Sequence, residues 1–307
     1  MREIKKCPIC GGGYSELAFS VIAPFISIRT GIPMTTSISL VECNVCKLVF
    51  FNKRYLASEA QEIYRDYRSE SYYIDRNRVE PWYTMKTNFA IGSDPKEIVE
   101  RKDRIKSFFC NAGIKLPLKN VLDYGGDMGQ FIPDDLAINK YLFEISDLKT
   151  VDGVKKVKKP KENTYQSILL CHILEHVDDI DKEVKAVTKY LSKGGYIYIE
   201  VPSEQFYLNR MVMRTSLYGI YLKLLLKIPF AFMFVDLISL VFRLKLRFQL
   251  PFGVIKMHEH INYFTVSSLK SLIERNGLET CFVSDNIEST CKSGRNKVIG
   301  ILAKKRK

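Results

Sequence analysis

The chain has 307 residues with ordinary apolar content, eight cysteines, four histidines and a formal net charge of +13. That length holds one large domain or two modest ones with a substantial core, which excludes a small disulfide-stapled scaffold, and nothing in it is repetitive or collagen-like. The positive excess points to an anionic partner: nucleic acid, a membrane surface or a phosphorylated small molecule.

The amino terminus, MREIKKCPIC, lacks the apolar core of a secretory signal, so a reducing cytoplasm is expected. It carries Cys7 and Cys10, and a second CxxC pair follows at Cys43 and Cys46 after 32 residues. Two such pairs can complete a tetrahedron around one ion, which predicts a zinc-binding module over residues 1–54. With four thiolates and no open position, the zinc would be structural. Two redox CxxC motifs are the competing reading, but no βαβ pattern surrounds either pair. Cys110, Cys171, Cys281 and Cys291 stand alone and read as small core residues.

Residues 55–118 are charged and tyrosine-rich at helical spacing, a helical linker or substrate cap. Tyr64, Tyr67, Tyr72 and Tyr73 either line a substrate cleft or pack between domains. The stretch NVLDYGGDMGQF (120–131) then reads as a short buried strand ending at Asp123, followed by a turn holding Gly125, Gly126 and Gly129. Glu144 closes the next apolar run 21 residues after Asp123, the spacing at which an acid meets ribose hydroxyls in a nucleotide-binding βαβ unit. Asp127 stands where such a turn usually has its middle glycine, and Pro133 with the short segment before Tyr141 leaves little room for the helix that usually follows.

A strand is expected in QSILLCHILEHV (166–177), and a helix over 179–195 capped by Gly194 and Gly195. A strand over 196–203 ends at Pro202, and a capped amphipathic helix over 265–278 stops at Gly277. Two last strands lie in ETCFVSD and NKVIGILAKK. Strands alternating with helices imply an α/β fold with a mainly parallel sheet covered on both faces.

Two further stretches stand out. Residues 204–257 form an insertion that such a sheet does not require, and 217–248 within it is almost wholly aliphatic and aromatic. Lys223, Lys227, Pro229 and Asp236 interrupt it, and a span would strand two halves of one sheet on opposite sides of a bilayer, so spanning is rejected. A helical lid over the substrate and a peripheral helix pair on the membrane's inner face remain on equal terms, as does a lid that also touches membrane; Arg243, Lys245 and Arg247 suit anionic headgroups. The other stretch is HEHINYF (258–264), which gathers two of the four histidines around a glutamate, and histidine is a base near neutral pH without any large shift. His258, Asn262 and Tyr263 are either substrate contacts or loop anchors, whereas His172, in the earlier LLCHILEHV, reads as a capping or core histidine.

Taken together, VLDYGGDMG, LLCHILEHVDD, LSKGGYIYIEVPS and HEHINYFTVSSLKSLIERNGL resemble the successive motifs of class I S-adenosylmethionine-dependent methyltransferases. With the leading four-cysteine module, the chain resembles the zinc-binding subgroup that modifies nucleotide sugars and surface polysaccharides, including sugar C-methyltransferases. The resemblance implies a Rossmann-like seven-stranded methyltransferase domain over 119–307 that binds S-adenosylmethionine through Asp123, Gly125, Gly126, Gly129 and Glu144. It also puts Glu259 and His260 on the family's late Glu-His pair, with His260 the base, and His176 on an active-site histidine after the fourth strand. The acceptor implied is a nucleotide sugar or a lipid-linked sugar, with Tyr72, Tyr73, His258 and Tyr263 as substrate contacts. Nucleic acid is not expected, because the Asn-Pro-Pro-Tyr loop of base and amine methylation is absent. An rRNA-type methyltransferase is the alternative, and a non-catalytic membrane-associated protein on a decayed methyltransferase fold is the third reading.

Overall fold

A computed structural model describes residues 1–146, 148–204, 210–246, 250–291 and 294–306; for 210–211, 243–246, 286, 289–291 and 294–296 the backbone alone is described. The first stretch holds β1 (Arg2–Glu3), β2 (Tyr14–Ile22), α1 (Pro24–Thr30), β3 (Ile38–Cys43), β4 (Val49–Phe51) and β5 (Lys53–Arg54). Four helices follow: α2 (Ala57–Tyr64), α3 (Glu70–Asn77), α4 (Met85–Ala90) and α5 (Pro95–Asn111). Next come β6 (Leu118–Tyr124), β7 (Ala137–Phe143), β8 (Val154–Lys156), β9 (Tyr165–Cys171), α6 (Ile180–Thr188) and β10 (Leu191–Pro202). The insertion contributes α7 (Arg210–Met213), α8 (Ser216–Leu225), α9 (Pro229–Leu246), β11 (Lys256–Met257) and β12 (Asn262–Tyr263). The chain closes with α10 (Val266–Arg275), β13 (Leu278–Cys291) and β14 (Gly294–Lys305).

Two compact units arise, and each is assembled from separated stretches. The first comprises Met1–Cys7, Gly11–Asn88 and Glu204–Tyr263; the second comprises Pro8–Cys10, Phe89–Ser203 and Phe264–Lys307. This differs from the division read in the sequence. The insertion shares a unit with the amino-terminal module, and α5 belongs with the sheet-bearing unit rather than with the tyrosine-rich linker.

In the first unit a five-stranded sheet runs in the order β11-β2-β3-β4-β12. Its core is Phe25, Ile26, Phe51, Leu222, Phe232 and Met257, drawn from both halves of the sequence. The two edge strands are joined by residues 258–261 alone. A flat sheet of five strands is about 19 Å from edge to edge, whereas the chain from Met257 to Asn262 reaches about 18 Å at most. The sheet therefore curls, and HEHINYF closes its two edges across the gap.

The second unit holds a seven-stranded sheet in the order β13-β14-β10-β9-β6-β7-β8. Neighbours from β10 to β8 pair in parallel, but β14 runs antiparallel to both β10 and β13, so the sheet is mixed. Expected cover on both faces is also incomplete. The links β6–β7, β7–β8 and β8–β9 are 12, 10 and 8 residues long and contain no helix among the described residues, too short for the usual helical crossover. Lys155 and Lys156 lie exposed on β8, a charged edge strand that discourages further pairing. Asp179 and Thr265 cap α6 and α10 through their side-chain oxygens. Gly194 and Gly195, by contrast, are not a helix cap. They lie inside β10, where the register shifts between Leu191 and Tyr196, and Gly194 takes a φ of 69° that favours glycine. Cys110 and Cys281 are exposed rather than core, Cys171 is half-buried and packs against the core of the second unit, and the side chain of Cys291 lies outside the described residues.

Candidate active site

The cysteines meet as their spacing requires. The ligand atoms of Cys7, Cys10, Cys43 and Cys46 lie within 4.8 Å of one another, with Cys7 and Cys46 sulfurs 3.6 Å apart. Both pairs form the same turn: the N–H of Gly11 donates to the Cys7 carbonyl (2.9 Å), and that of Lys47 to the Cys43 carbonyl (3.2 Å). Gly11 and Lys47, each four residues after the first cysteine of its pair, have φ of 70° and 64°. The backbone N–H groups of Val45 and Cys46 donate to Cys43 Sγ at 3.4 Å, as suits a thiolate ligand. The set could hold one tetrahedral metal ion.

The glycine turn sits at the carboxyl end of β6, where open α/β sheets take ligands. Asp123 is buried at its foot, and its Oδ2 has no hydrogen-bond partner among the described residues. A Cβ on Gly126 would stand 2.0 Å from that carboxylate, and one on Gly129 would stand 2.8 Å from Val154 Cγ1. Gly125 and Gly129 have φ of 72° and 77°, and Asp127, in the place of a middle glycine, has 62°. Gln130 holds the Asp127 carboxylate at 3.1 Å. Glu144 accepts from the N–H of Asp127 (3.2 Å) and of Ser146 (3.0 Å), which leaves lone pairs on both oxygens. Burial pushes the Asp123 carboxyl up to about 7 against the pull of Arg101, and the neighbouring Glu144 and Asp127 add to the rise. A cation seated there would restore the ionised form. The donor set thus fits a ligand with a positive charge and ribose hydroxyls, which S-adenosylmethionine has. Asp123, Gly125, Gly126, Gly129 and Glu144 would hold it.

Beyond β9, His176 lies half-buried in the turn that follows the strand, its N–H on the Ile173 carbonyl (3.0 Å). His172 is not a solvent-facing base. Its Nε2 is 3.2 Å from Glu200 and its Nδ1 3.3 Å from Glu175. Glu200 is fully buried and takes a bidentate pair from Arg104 (2.6 and 2.9 Å) and a hydrogen bond from the Tyr198 hydroxyl (2.7 Å). Burial works against its charge, but His172, Arg104 and Arg101 together hold Glu200 well below the usual carboxylate range. The network ties α5 to β10 and β9.

In the first unit, HEHINYF is fastened along its length. Arg54, fully buried, donates to the Ile261 carbonyl (3.2 Å) and Asn262 Oδ1 (2.7 Å). The Tyr55 hydroxyl donates to the His258 carbonyl (2.9 Å), and that of Tyr263 to the His260 carbonyl (3.2 Å). His258 stacks on Phe25 at 5.5 Å, with Nδ1 3.3 Å from Glu259 and Nε2 3.3 Å from Glu80. Glu259 accepts from the Tyr72 hydroxyl (2.6 Å) and Arg76 (3.1 Å). Burial opposes its charge, yet Arg76 and His258 hold it well below the ordinary range. Glu259 is therefore committed to this cluster. The residue that orients His260 is Glu204, whose Oε1 is 2.8 Å from His260 Nδ1. A carboxylate can only accept, so the proton sits on Nδ1 and Nε2 is the basic nitrogen. Tyr72 is fully buried and reaches Glu259 instead of solvent; Tyr73 is half-buried against the same core.

Sequence reading missed Glu204, Arg54, Arg76 and Glu80. Glu204 carried one signal, its place two residues after a strand-ending proline. The buried charges carried none, because pattern arguments put arginine and glutamate at the surface.

A family model described as a methyltransferase domain matches residues 100–281, more than half of the chain. Among solved structures, the 1,6-didemethyltoxoflavin-N1-methyltransferase of Burkholderia thailandensis, with 1,6-didemethyltoxoflavin and S-adenosylhomocysteine bound, is 11% identical over 88% of this chain and 96% of its own, at a TM-score of 0.46. A SAM-dependent methyltransferase of Archaeoglobus fulgidus is 14% identical over 77% of this chain and 100% of its own, at 0.39. No curated protein matches the chain.

Proposed function

Since the chain belongs to the methyltransferase family matched over 100–281 and is an S-adenosylmethionine-dependent enzyme, we propose that it methylates a sugar, as a nucleotide sugar or a lipid-linked precursor. The observation that carries this reading is the His260–Glu204 pair at 2.8 Å, a base with its tautomer set beside a loop fixed by buried hydrogen bonds. S-adenosylmethionine supplies the electrophilic methyl group. The protein must then position a nucleophile and remove its proton, the work a neutral imidazole does near pH 7. His260 Nε2 takes that proton from a sugar hydroxyl, or from a carbon beside a keto group, and Glu204 stabilises the imidazolium that results. His176 donates a hydrogen bond to charge developing on the acceptor oxygen. Glu259 keeps Tyr72, Arg76 and His258 in place below the loop, while Tyr73 and Tyr263 border the acceptor. Zinc in the four-cysteine cluster is structural, since four thiolates leave no position for a substrate. The enzyme would act in the cytoplasm on a phosphate-bearing acceptor, for which the net charge of +13 is suited, rather than on nucleic acid.

The test is transfer of labelled methyl from S-adenosylmethionine into fractionated extract of the source cells. Label in nucleotide-sugar or glycolipid fractions is expected. Label in the RNA fraction alone would overturn the sugar assignment.

A further inference from the structure

The pair α8–α9 is apolar on two faces, and the core of its unit uses only one. Toward the interior, α8 buries Tyr218, Leu222 and Leu225, and α9 buries Phe232, Asp236 and Ser239. On the outside, α8 exposes Leu217, Ile220 and Leu224 at spacings of three and four, with Leu217 77% exposed. On α9 the outward residues are Phe230, Phe234, Leu237 and Val241, again at helical spacing, with Phe230 83% exposed. A surface helix of a water-soluble domain turns polar residues outward. Here the outward stripe is as apolar as the buried one, and Ile228 and Phe230 carry it around the bend between the helices.

Charge tells what covers it. From 210 to 250 the sequence has seven basic residues and one acid, Asp236. That acid faces inward and is paired with Lys256 at 2.7 Å. Lys223 and Lys227 are exposed and flank the α8 stripe; Arg243 and Lys245 follow on α9 with undescribed side chains, and Arg247 lies outside the described residues. An apolar ridge edged by cations and free of outward acids matches the headgroup and upper acyl region of an anionic bilayer. A second copy of the chain would bring the same cations against each other.

The geometry also favours resting over crossing. No single described helix is long and apolar enough to span a membrane; Ser216–Leu225 and Pro229–Phe242 have that length and composition only together, and a 120° bend separates them. Crossing would also pull Asp236 from Lys256 and Phe232 from the core. At the foot of α8 an open groove of about 420 Å³, lined by Leu217, Tyr218, Tyr221 and Phe252, is apolar enough for an acyl chain.

We propose that α8–α9 is a membrane-docking surface that lays its outer stripe into the interface of an anionic bilayer. This holds whatever acceptor is methylated. The test is flotation of the full-length protein with vesicles of phosphatidylcholine alone and of phosphatidylcholine mixed with phosphatidylglycerol. Binding to the mixed vesicles should exceed that to neutral ones and fall with salt. The double variant Leu224→Glu with Phe230→Glu changes two exposed residues, so its melting temperature and S-adenosylmethionine affinity should stay unchanged while vesicle affinity drops at least roughly tenfold. Lys223→Gln with Lys227→Gln should weaken binding and flatten its salt dependence. Wild-type protein that stays with the unbound fraction, or a double variant that floats equally well, would overturn the proposal. So would a lipid-free dimer that the double variant dissociates.

Discussion

At Asp123 burial outweighs the pull of Arg101, so the carboxyl titrates near pH 7 rather than near 4. A carboxyl raised on folding contributes stability that is complete below its unfolded value and lost as pH climbs through about 7. A cationic ligand reverses that penalty by pairing with the ionised form. The thermal shift produced by S-adenosylmethionine should therefore grow from pH 6 to pH 8, and Asp123→Asn should make it small and flat in differential scanning fluorimetry. At the other site, His260→Ala should cut methyl transfer roughly 100- to 10,000-fold with cofactor affinity nearly intact. Glu204→Gln should cost at least roughly tenfold, since an amide no longer fixes the proton on Nδ1. Turnover of either variant at the wild-type rate would remove the base assignment. His260 stood out in the sequence because it sits in a cluster. Glu204 did not, because 56 residues separate the partners and no periodicity links them.

Elements with their own punctuation were legible. Asp179 and Thr265 announce α6 and α10, Pro202 ends β10, and the two CxxC pairs announce their turns. Elements whose form depends on neighbours were not. Gly194 and Gly195 follow an amphipathic run and read as a cap, yet α6 already stops at Thr188 and the glycines serve the shift in β10. The cysteine turns permit a sharper statement. Gly11 has open space around its Cα, so Gly11→Ala meets no clash and costs only the strain of a left-handed backbone. That strain is about 1–2 kcal/mol. Denaturant melts of the metal-loaded protein should show a loss of this size, with the bound metal retained. Lys47 already bears the same conformation in the second turn.

Among the described residues, charge is buried in a cluster around Glu259 and Glu80 and in another around Glu200, and the second pairs groups of opposite titration. Glu200, Glu259 and Glu80 are held below the carboxylate range, so their contribution is present above their unfolded values and lost as pH falls through the folded ones. His172 is raised on folding: burial and Arg101 act against its charge, but the contacts with Glu175 and Glu200 prevail. Its contribution is present below the unfolded value and lost as pH rises through the folded one. Melting temperature against pH should thus be a dome that falls on both sides, and His172→Gln should flatten its alkaline limb. A wild-type curve that is level from pH 5 to pH 9 would contradict these assignments. The fold class was readable from alternating strands and helices, but the grouping of the insertion with residues 1–88 was not, because it rests on packing between stretches far apart in the chain.

That grouping bears on how the protein is born. The sheet of the first unit lacks both edge strands until residues 256–263 leave the ribosome, although its centre, β2 to β4, emerges among the earliest residues. At ordinary synthesis speed the wait between residue 88 and residue 263 is roughly 10–35 s. During it the nascent chain carries two unpaired edges and an open hydrophobic interior, the state that chaperones recognise. The second unit is interrupted in the same way by the stretch that completes the first, so neither unit can finish folding before nearly the whole chain has been translated.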